Sequence, residues 1–377
     1  MHKVTFFPNG NADTYLIELE NGRRVLVDYA HRRNPAGRNP DGAKDLRIDL
    51  PSALKETLSG SDHIDVVALT HGHDDHIDRA SEFFYLRHSK DYQGKGRVKI
   101  DVLWVPAAMI VDDTLEGDAE IMQREARHRL KEGQGIRVFS RPERLKEWFE
   151  REKIDPDSRK GLITDAGACV PEFAIDADGV EFFVHSPFAR RQDDGTLADL
   201  NQCSLVLQAT FDIDGKRTAM LLTADAEHEA LDEIVTQTRK NKNEARLEWD
   251  IAKLPHHCSY KSLSAEKGDN ETTPNDDIAW LWETQGRKKA IMVSTSGPIP
   301  AGDTTQPPHI QAARYYRHRA DDLDGEFVVT MEHPKKSDPQ PLVVTIDRVG
   351  PKVDRAASAG TKSILIAPAP RAGCGDA

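Results

Sequence analysis

Val66-Val67-Ala68-Leu69-Thr70-His71-Gly72-His73-Asp74-Asp75-His76 passes from a short apolar run into a loop dense in imidazole and carboxylate. The run reads as a buried strand, and the residues after it as the loop that leaves the strand. His71, His73, Asp75 and His76 fall within six positions. In an extended segment His71 and His73 point the same way, because side chains alternate with a period of two. Asp75 and His76 lie one turn further on and face a second point in space. This suits two metal ions a few ångströms apart, with ligand types that serve zinc, iron or manganese. The chain has 15 His in 377 residues, so three in one six-residue window beside an aspartate exceed what a polar loop merely rich in histidine requires.

The spacing His-x-His-x-Asp-His also resembles the signature of the metallo-β-lactamase superfamily. That resemblance implies an α/β fold of a particular kind, a four-layer αββα sandwich with a one- or two-metal site at the edge of its sheets. It covers roughly residues 3 to 348. The expected organisation is one hydrolase domain over 1–350, with insertions near 86–164 and 189–200, and a weakly ordered tail at 351–377 rich in Ala, Gly, Pro and Ser.

Composition is consistent with a folded, polar-surfaced chain: 38% of residues are hydrophobic and 30% charged. A net charge of −12 works against sequence-independent attraction to nucleic acid, while leaving room for a local basic groove. The four cysteines, Cys169, Cys203, Cys258 and Cys374, have no paired spacing, so neither a disulfide framework nor a cysteine zinc knuckle is indicated. No apolar run approaches the roughly 20 residues that span a bilayer, and the N-terminus enters strand pattern at once. The expectation is a cytoplasmic protein without membrane attachment.

Along the chain, Asn21-Gly22 marks a hairpin turn between two strands. Asp28 ends the next strand; in the resembled superfamily an aspartate there braces the metal loop without being a ligand. Residues 77 to 88 have helical character. Ser140-Arg141-Pro142-Glu143 fits a capping box before a helix whose Leu145, Trp148 and Phe149 face the core. A binuclear site needs further ligands, each at a strand end where loops converge. His185, Asp225 and the pair His256-His257 all follow predicted strands.

Thr223-Ala224-Asp225 looks like the superfamily's strand followed by Gly-Asp, with Ala224 in place of glycine, and a carboxylate there can bridge two ions. Leu254-Pro255-His256-His257-Cys258-Ser259 is similar to the His-His-Gly-Ser motif of the branch typified by the hydrolase domain of bacterial competence (DNA-uptake) proteins, with Cys258 in place of glycine. His256 is expected as the ligand and His257 as a substrate-facing group, the reverse assignment remaining open. His185 resembles the same branch's histidine-proline segment. Ser259, Lys261 and His309 are expected to line the pocket, and Arg190 with Arg191 to help Lys261 hold phosphate.

The expected ligand set is therefore His71, His73, Asp75, His76, His185, Asp225 and His256, with Asp75 and His257 as catalytic groups. The expected cofactor is a pair of divalent transition-metal ions, zinc first, manganese or iron otherwise, activating water for hydrolysis. The resembled branch includes nucleases and phosphodiesterases, so the expected substrate is a small-molecule or nucleic-acid phosphodiester. The alternatives are hydrolysis of a lactone, thioester or other acyl bond at the same site, or a degenerate metal-binding scaffold.

Overall fold

The apolar run before the histidine loop is buried on both faces. Its strand, His63–Ala68, lies inside a sheet, parallel to Arg24–Val27 on one side and to Val98–Pro106 on the other. Ile64 and Val67 pack on the face covered by helices, Val66 and Ala68 on the face covered by a second sheet. Two-sided burial is why this parallel strand reads as continuous apolar sequence rather than an alternation.

The computed structural model describes residues 1–193 and 200–355. Among the described residues the first sheet has ten strands. Its main path runs Ile163–Thr164, Ile136–Phe139, Val98–Pro106, His63–Ala68, Arg24–Val27, Tyr15–Glu18, His2–Phe6, Leu342–Asp347 and Gly350–Val353. A second, six-stranded sheet runs Val180–Ser186, Val206–Ile213, Lys216–Leu222, Trp249–Lys253, Gly286–Ser294 and Glu326–Val329. Its last four strands are mutually parallel, so their carboxyl ends and the loops that follow share one rim.

The two sheets face each other across a common core in which Phe6, Tyr15 and Trp104 of the first meet Phe182, Phe211 and Ile251 of the second. The Trp104 and Phe182 rings stand edge to face, 5.4 Å apart. Over the outer face of the first sheet lie the helices Leu50–Thr57, Gly117–Glu132 and Glu143–Arg151, which bury Leu54, Met122, Leu130 and Trp148. Over the second lie His228–Lys240, Asp276–Glu283 and Ile310–Asp322, burying Ile234, Trp282 and Tyr316. Each side chain of this size is worth about 1.5–3 kcal/mol when fully buried. The layers are helix, sheet, sheet, helix: the αββα sandwich expected from the sequence.

Several local expectations change. Residues 77 to 88 are not one helix: Ile77–Asp78 pairs with Tyr29–Ala30, a single helical turn spans Ala80–Phe83, and Phe84–Tyr85 joins the large sheet. Pairing with the metal loop's own neighbours overrides the local helical pattern. The capping box does not form, because Ser140 adopts φ 79° and gives its N–H to the Thr164 carbonyl, leaving Pro142 at the helix start. The 86–164 stretch supplies strands Val98–Pro106, Ile136–Phe139 and Ile163–Thr164 of the large sheet together with the helices that cover them. Ala189–Asp193 is helical, and 194–199 of the expected 189–200 insertion lie outside the described residues. The sheet continues through Gly350–Val353, so the expected tail at 351–377 begins within a strand, and its part from 356 lies outside the described residues. Among the described residues no helix is long and apolar enough to cross a membrane.

Candidate metal centre

The histidine loop is held from below by Asp28. This residue ends its strand in a left-handed conformation, φ 55°, which aims its buried carboxylate at the loop. Thr70 donates its N–H to Asp28 Oδ1 and its hydroxyl to Oδ2, both at 2.7 Å. His76 Nδ1 stands 2.6 Å from Oδ2 and donates to it. With the proton on Nδ1, the Nε2 of His76 is turned inward, 3.2 Å from Asp225 Oδ1. Asp28 thus fixes the orientation of Thr70 and of the His76 ring through hydrogen bonds.

The second sheet supplies the opposite wall. Asp225 follows the Lys216–Leu222 strand through Ala224, whose φ is 46°. Beyond Trp249–Lys253 the chain makes a tight turn in which His256, His257 and Cys258 are all left-handed, with φ 47°, 51° and 66°. The turn drives the His257 ring into the centre. Its Nδ1 donates to the Thr295 carbonyl at 2.8 Å, and its Nε2 lies 3.3 Å from both Asp75 Oδ2 and Asp225 Oδ2.

Two neighbouring donor sets result, each with ligand atoms within 4.8 Å of one another: His71, His73 and Asp75; and Asp75, His76, Asp225 and His257. Asp75 belongs to both. His71 Nε2 and His73 Nδ1 approach to 3.1 Å, and the His71 and His76 rings are 4.0 Å apart. The first set comes from the large sheet alone, the second from both sheets. A third grouping, Asp13, Asp28 and His76, lies behind the second.

The electrostatics fit a cation. Burial opposes protonation of His76 and His257, but the Asp225 carboxylate, with Asp28 and Asp13 beside His76, outweighs it and raises both imidazoles. Burial likewise opposes ionisation of Asp75 and Asp225, and is outweighed by His257 and His76, so both carboxyls are depressed. His71, with fewer carboxylates near it, is driven well below the usual range by burial and by His76. His76 Nε2 and Asp225 Oδ1 are buried without a hydrogen-bond partner, since their 3.2 Å approach is not aligned as a hydrogen bond. Nitrogen lone pairs directed at carboxylate oxygens repel unless protons or a cation lie between them. A divalent ion satisfies every one of these atoms, and imidazole with carboxylate is a donor set that zinc accepts.

Two participants escape local sequence reading. Lys253 and Asp13 are both fully buried and form an ion pair behind the second set. The Lys253 Nζ also donates to the Ala224 carbonyl at 2.8 Å and lies 3.6 Å from Asp225 Oδ1. Asp13 accepts from the Thr295 hydroxyl, and its own N–H donates to the Asp75 carbonyl at 3.0 Å. Neither position is singled out by the local sequence pattern: Lys253 ends a strand that already contains Asp250.

Other expected site residues take different places. His256 and His257 exchange roles: His256 Nδ1 is 3.3 Å from Glu227 and its Nε2 3.9 Å from Asp225, outside both donor sets, at the rim. The sharp turn can aim only one of two successive rings inward, and it aims His257. His185 is not with the other donors. Its Nε2 is hydrogen-bonded at 2.9 Å to the Arg246 carbonyl, it lines a separate cleft with Phe188 and Asn241, and burial pushes it down to about 4. Ser259 is buried and accepts from the Lys261 N–H, while Lys261 is half-exposed with its Nζ 3.5 Å from Glu227. His309 packs on Tyr260, ring centres 4.9 Å apart, and its Nδ1 accepts the Tyr260 N–H. Arg190 and Arg191 are both committed to Glu233 rather than to a phosphate site. Cys258 is fully buried, and burial pushes its thiol up to about 12, which disfavours the thiolate.

No protein-family model and no curated protein matches the sequence. Among solved structures, the chain is similar to a zinc-bound PqqB and to several metallo-β-lactamases. Zinc-bound PqqB from Methylobacterium extorquens aligns at a TM-score of 0.32 and 10% identity, over 87% of this chain and 98% of that one. The metallo-β-lactamase GOB-18 from Elizabethkingia meningoseptica aligns at 0.31 and 12%, over 85% and 89%. The class B3 di-zinc enzyme LRA-12 from an Alaskan soil metagenome aligns at 0.29 and 13%, over 85% and 91%.

Proposed function

We propose that this chain is a metal-dependent hydrolase of the metallo-β-lactamase superfamily, allied to the competence-protein branch, with a phosphodiester as substrate and two divalent ions, zinc foremost, as cofactor. The observation that carries the reading is the pair of donor sets sharing Asp75, with the inward nitrogens of His76 and His257 oriented by hydrogen bonds on the opposite side of each ring. A scaffold that had lost its chemistry has no reason to retain buried carboxylates and imidazoles at such a cost in desolvation.

Bound there, divalent ions supply Lewis acidity toward a substrate oxygen and lower the pKa of water. The chain's own contributions are positional. Asp225 holds the two walls in register, and Asp28 and the Thr295 carbonyl lock the two histidines in the required tautomers. Asp75 is 34% exposed, the most open of the carboxylates in the donor sets, and its depressed pKa keeps it ionised at neutral pH. It is placed to accept a hydrogen bond from an attacking water and orient it. His256, at the rim, is placed to face substrate.

The test is a substrate panel on metal-loaded protein: bis-p-nitrophenyl phosphate and single-stranded DNA beside p-nitrophenyl acetate and a lactone, with zinc or manganese. Turnover of the diesters is expected, and Asp75→Asn is expected to lower it by about 10²–10⁴-fold with the fold intact. Turnover of the acyl substrates alone replaces the phosphodiester reading with acyl hydrolysis. Full activity in Asp75→Asn removes the role given to Asp75.

A further inference from the structure

Beyond His76 the metal loop runs straight into an arginine-lined cleft that none of the roles above employs. Tyr29–Ala30 and Ile77–Asp78 pair as short parallel strands. The first leads into His31, Arg32 and Arg33, the second into Arg79, and with Arg47 these line a cleft of about 480 Å³. An extended chain covers at most about 3.6 Å per residue, so the Asp78 backbone lies within about 7 Å of that of His76. The cleft-lining Asp78 is therefore a chain neighbour of the donor sets, two residues beyond His76.

Its charges are unevenly matched. Arg47 is paired with Asp45, Arg79 with Glu82 at 3.0 Å, and Arg32 only loosely with Asp78 at 3.6 Å. Arg33, half-buried, has neither an ion pair nor a hydrogen bond among the described residues. Asp49 stands 4.0 Å from His31 but does not line the cleft. Glu82 is 61% exposed, so water already competes for its pairing with Arg79. Asp78 and Glu82 also line the cleft, so its four arginines face two carboxylates; in a chain of net charge −12, that excess of guanidinium, with Arg33 uncommitted and Arg32 loosely paired, is an exception to the background. The planar fork of a guanidinium matches the oxygens of a phosphate, and Arg is the side chain that binds them in bidentate fashion.

We infer that this cleft binds a phosphate group of the substrate other than the one hydrolysed, with Arg33 as its principal ligand and Arg32 and Arg79 assisting. The inference rests on the phosphodiester reading of the metal centre, and it makes a chain of phosphates a better substrate than an isolated diester.

Two measurements on the metal-loaded protein test it. In calorimetric titration with inorganic phosphate, the wild type is expected to bind one more phosphate per chain than Arg33→Ala or the pair Arg32→Ala/Arg33→Ala; equal stoichiometry overturns the proposal. In steady-state kinetics, Arg33→Ala is expected to lower kcat/KM for a 5′-phosphorylated dinucleotide about tenfold more than for bis-p-nitrophenyl phosphate. Loss of the extra phosphate with equal losses on the two substrates overturns the substrate assignment, because the cleft then binds free phosphate only. If neither diester is hydrolysed but the extra phosphate is present and lost in the variants, the phosphate site stands and the reading of the metal centre falls.

Discussion

Lys253 is an ammonium group with no access to water, held by Asp13, by the Ala224 carbonyl and, at 3.6 Å, by Asp225. Removing one member of a buried pair strands the other, at a cost of about 3–5 kcal/mol. Lys253→Met is expected to lose that much in denaturant-induced unfolding, and Asp13→Asn in the same chain to restore part of it; additive losses would show that the pair is not coupled. Asp28→Asn removes a charged acceptor from His76, and zinc affinity measured by chelator competition is expected to fall about 10–100-fold. His185→Ala, by contrast, is expected to leave metal content unchanged, since that ring is spent on the Arg246 carbonyl. Proton linkage follows from the same atoms. His76 and His257 are raised, so in metal-free protein their contribution to stability is complete below about pH 6.5 and is lost as pH rises through the raised values. Asp75 and Asp225 are depressed, so theirs is complete above about pH 4 and is lost as pH falls through the depressed values. Zinc must displace the imidazolium protons, and titrations near neutral pH in two buffers of different ionisation enthalpy are expected to show net proton release. At this scale the sequence was legible where ligands are neighbours in the chain, as in His71 to His76. It was silent on Asp13 and Lys253, which are separated by 240 positions and acquire meaning only when both sheets are folded.

The Pro255–Cys258 turn decides which histidine enters the centre, and it does so through backbone conformation. Three successive left-handed residues cost about 1–2 kcal/mol each relative to ordinary geometry, and such strain persists only where surrounding structure imposes it. Here the His256 N–H reaches back to the Ala224 carbonyl and the Ser259 N–H to the His256 carbonyl, which clamps the turn. The positions where the resembled superfamily and its resembled branch have glycine, 224 and 258 respectively, both have positive φ in this chain. That explains why glycine suits them, and why Ala224 and Cys258 keep the geometry at some cost. Cys258→Gly trades lost packing of a small buried side chain against released strain, and is expected to change stability by less than about 1 kcal/mol with zinc affinity retained. Cys258→Val places a β-branched residue at the same φ, and is expected to cost more than about 2 kcal/mol and to weaken zinc binding, read by denaturation and chelator competition. The contrast also shows what element-level patterns contain. Helices with a strong apolar face, such as Glu143–Arg151, and two-sided apolar strands were legible from periodicity. The order of His256 and His257 was not, because it depends on a turn whose φ values no periodicity encodes, and residues 77 to 88 were misread because their partner strand, Tyr29–Ala30, lies almost fifty positions away.

For the molecule as a whole, the centre sits where two sheets that share a core also share ligands. His71, His73, Asp75 and His76 come from the loop of one sheet, and Asp225 and His257 from the rim of the other. In metal-free protein, Lys253 and the imidazolium protons supply the compensating charge. An ion held by Asp75, His76, Asp225 and His257 would replace the protons and take ligands from both walls. Metal binding is then coupled to global stability by mass action, about 2.7 kcal/mol when free ion exceeds its dissociation constant a hundredfold. Scanning calorimetry is expected to show a single transition that moves up on addition of zinc and down on chelation. Asp225→Asn, which removes the carboxylate that the second sheet contributes, is expected to abolish most of that difference, and Asp75→Asn a smaller part, because Asp75 does not come from the second wall. A zinc-independent transition in wild-type protein, or an unchanged zinc effect in Asp225→Asn, would mean that the ion does not tie the sheets together and that the buried charges are balanced by Lys253 and protons alone.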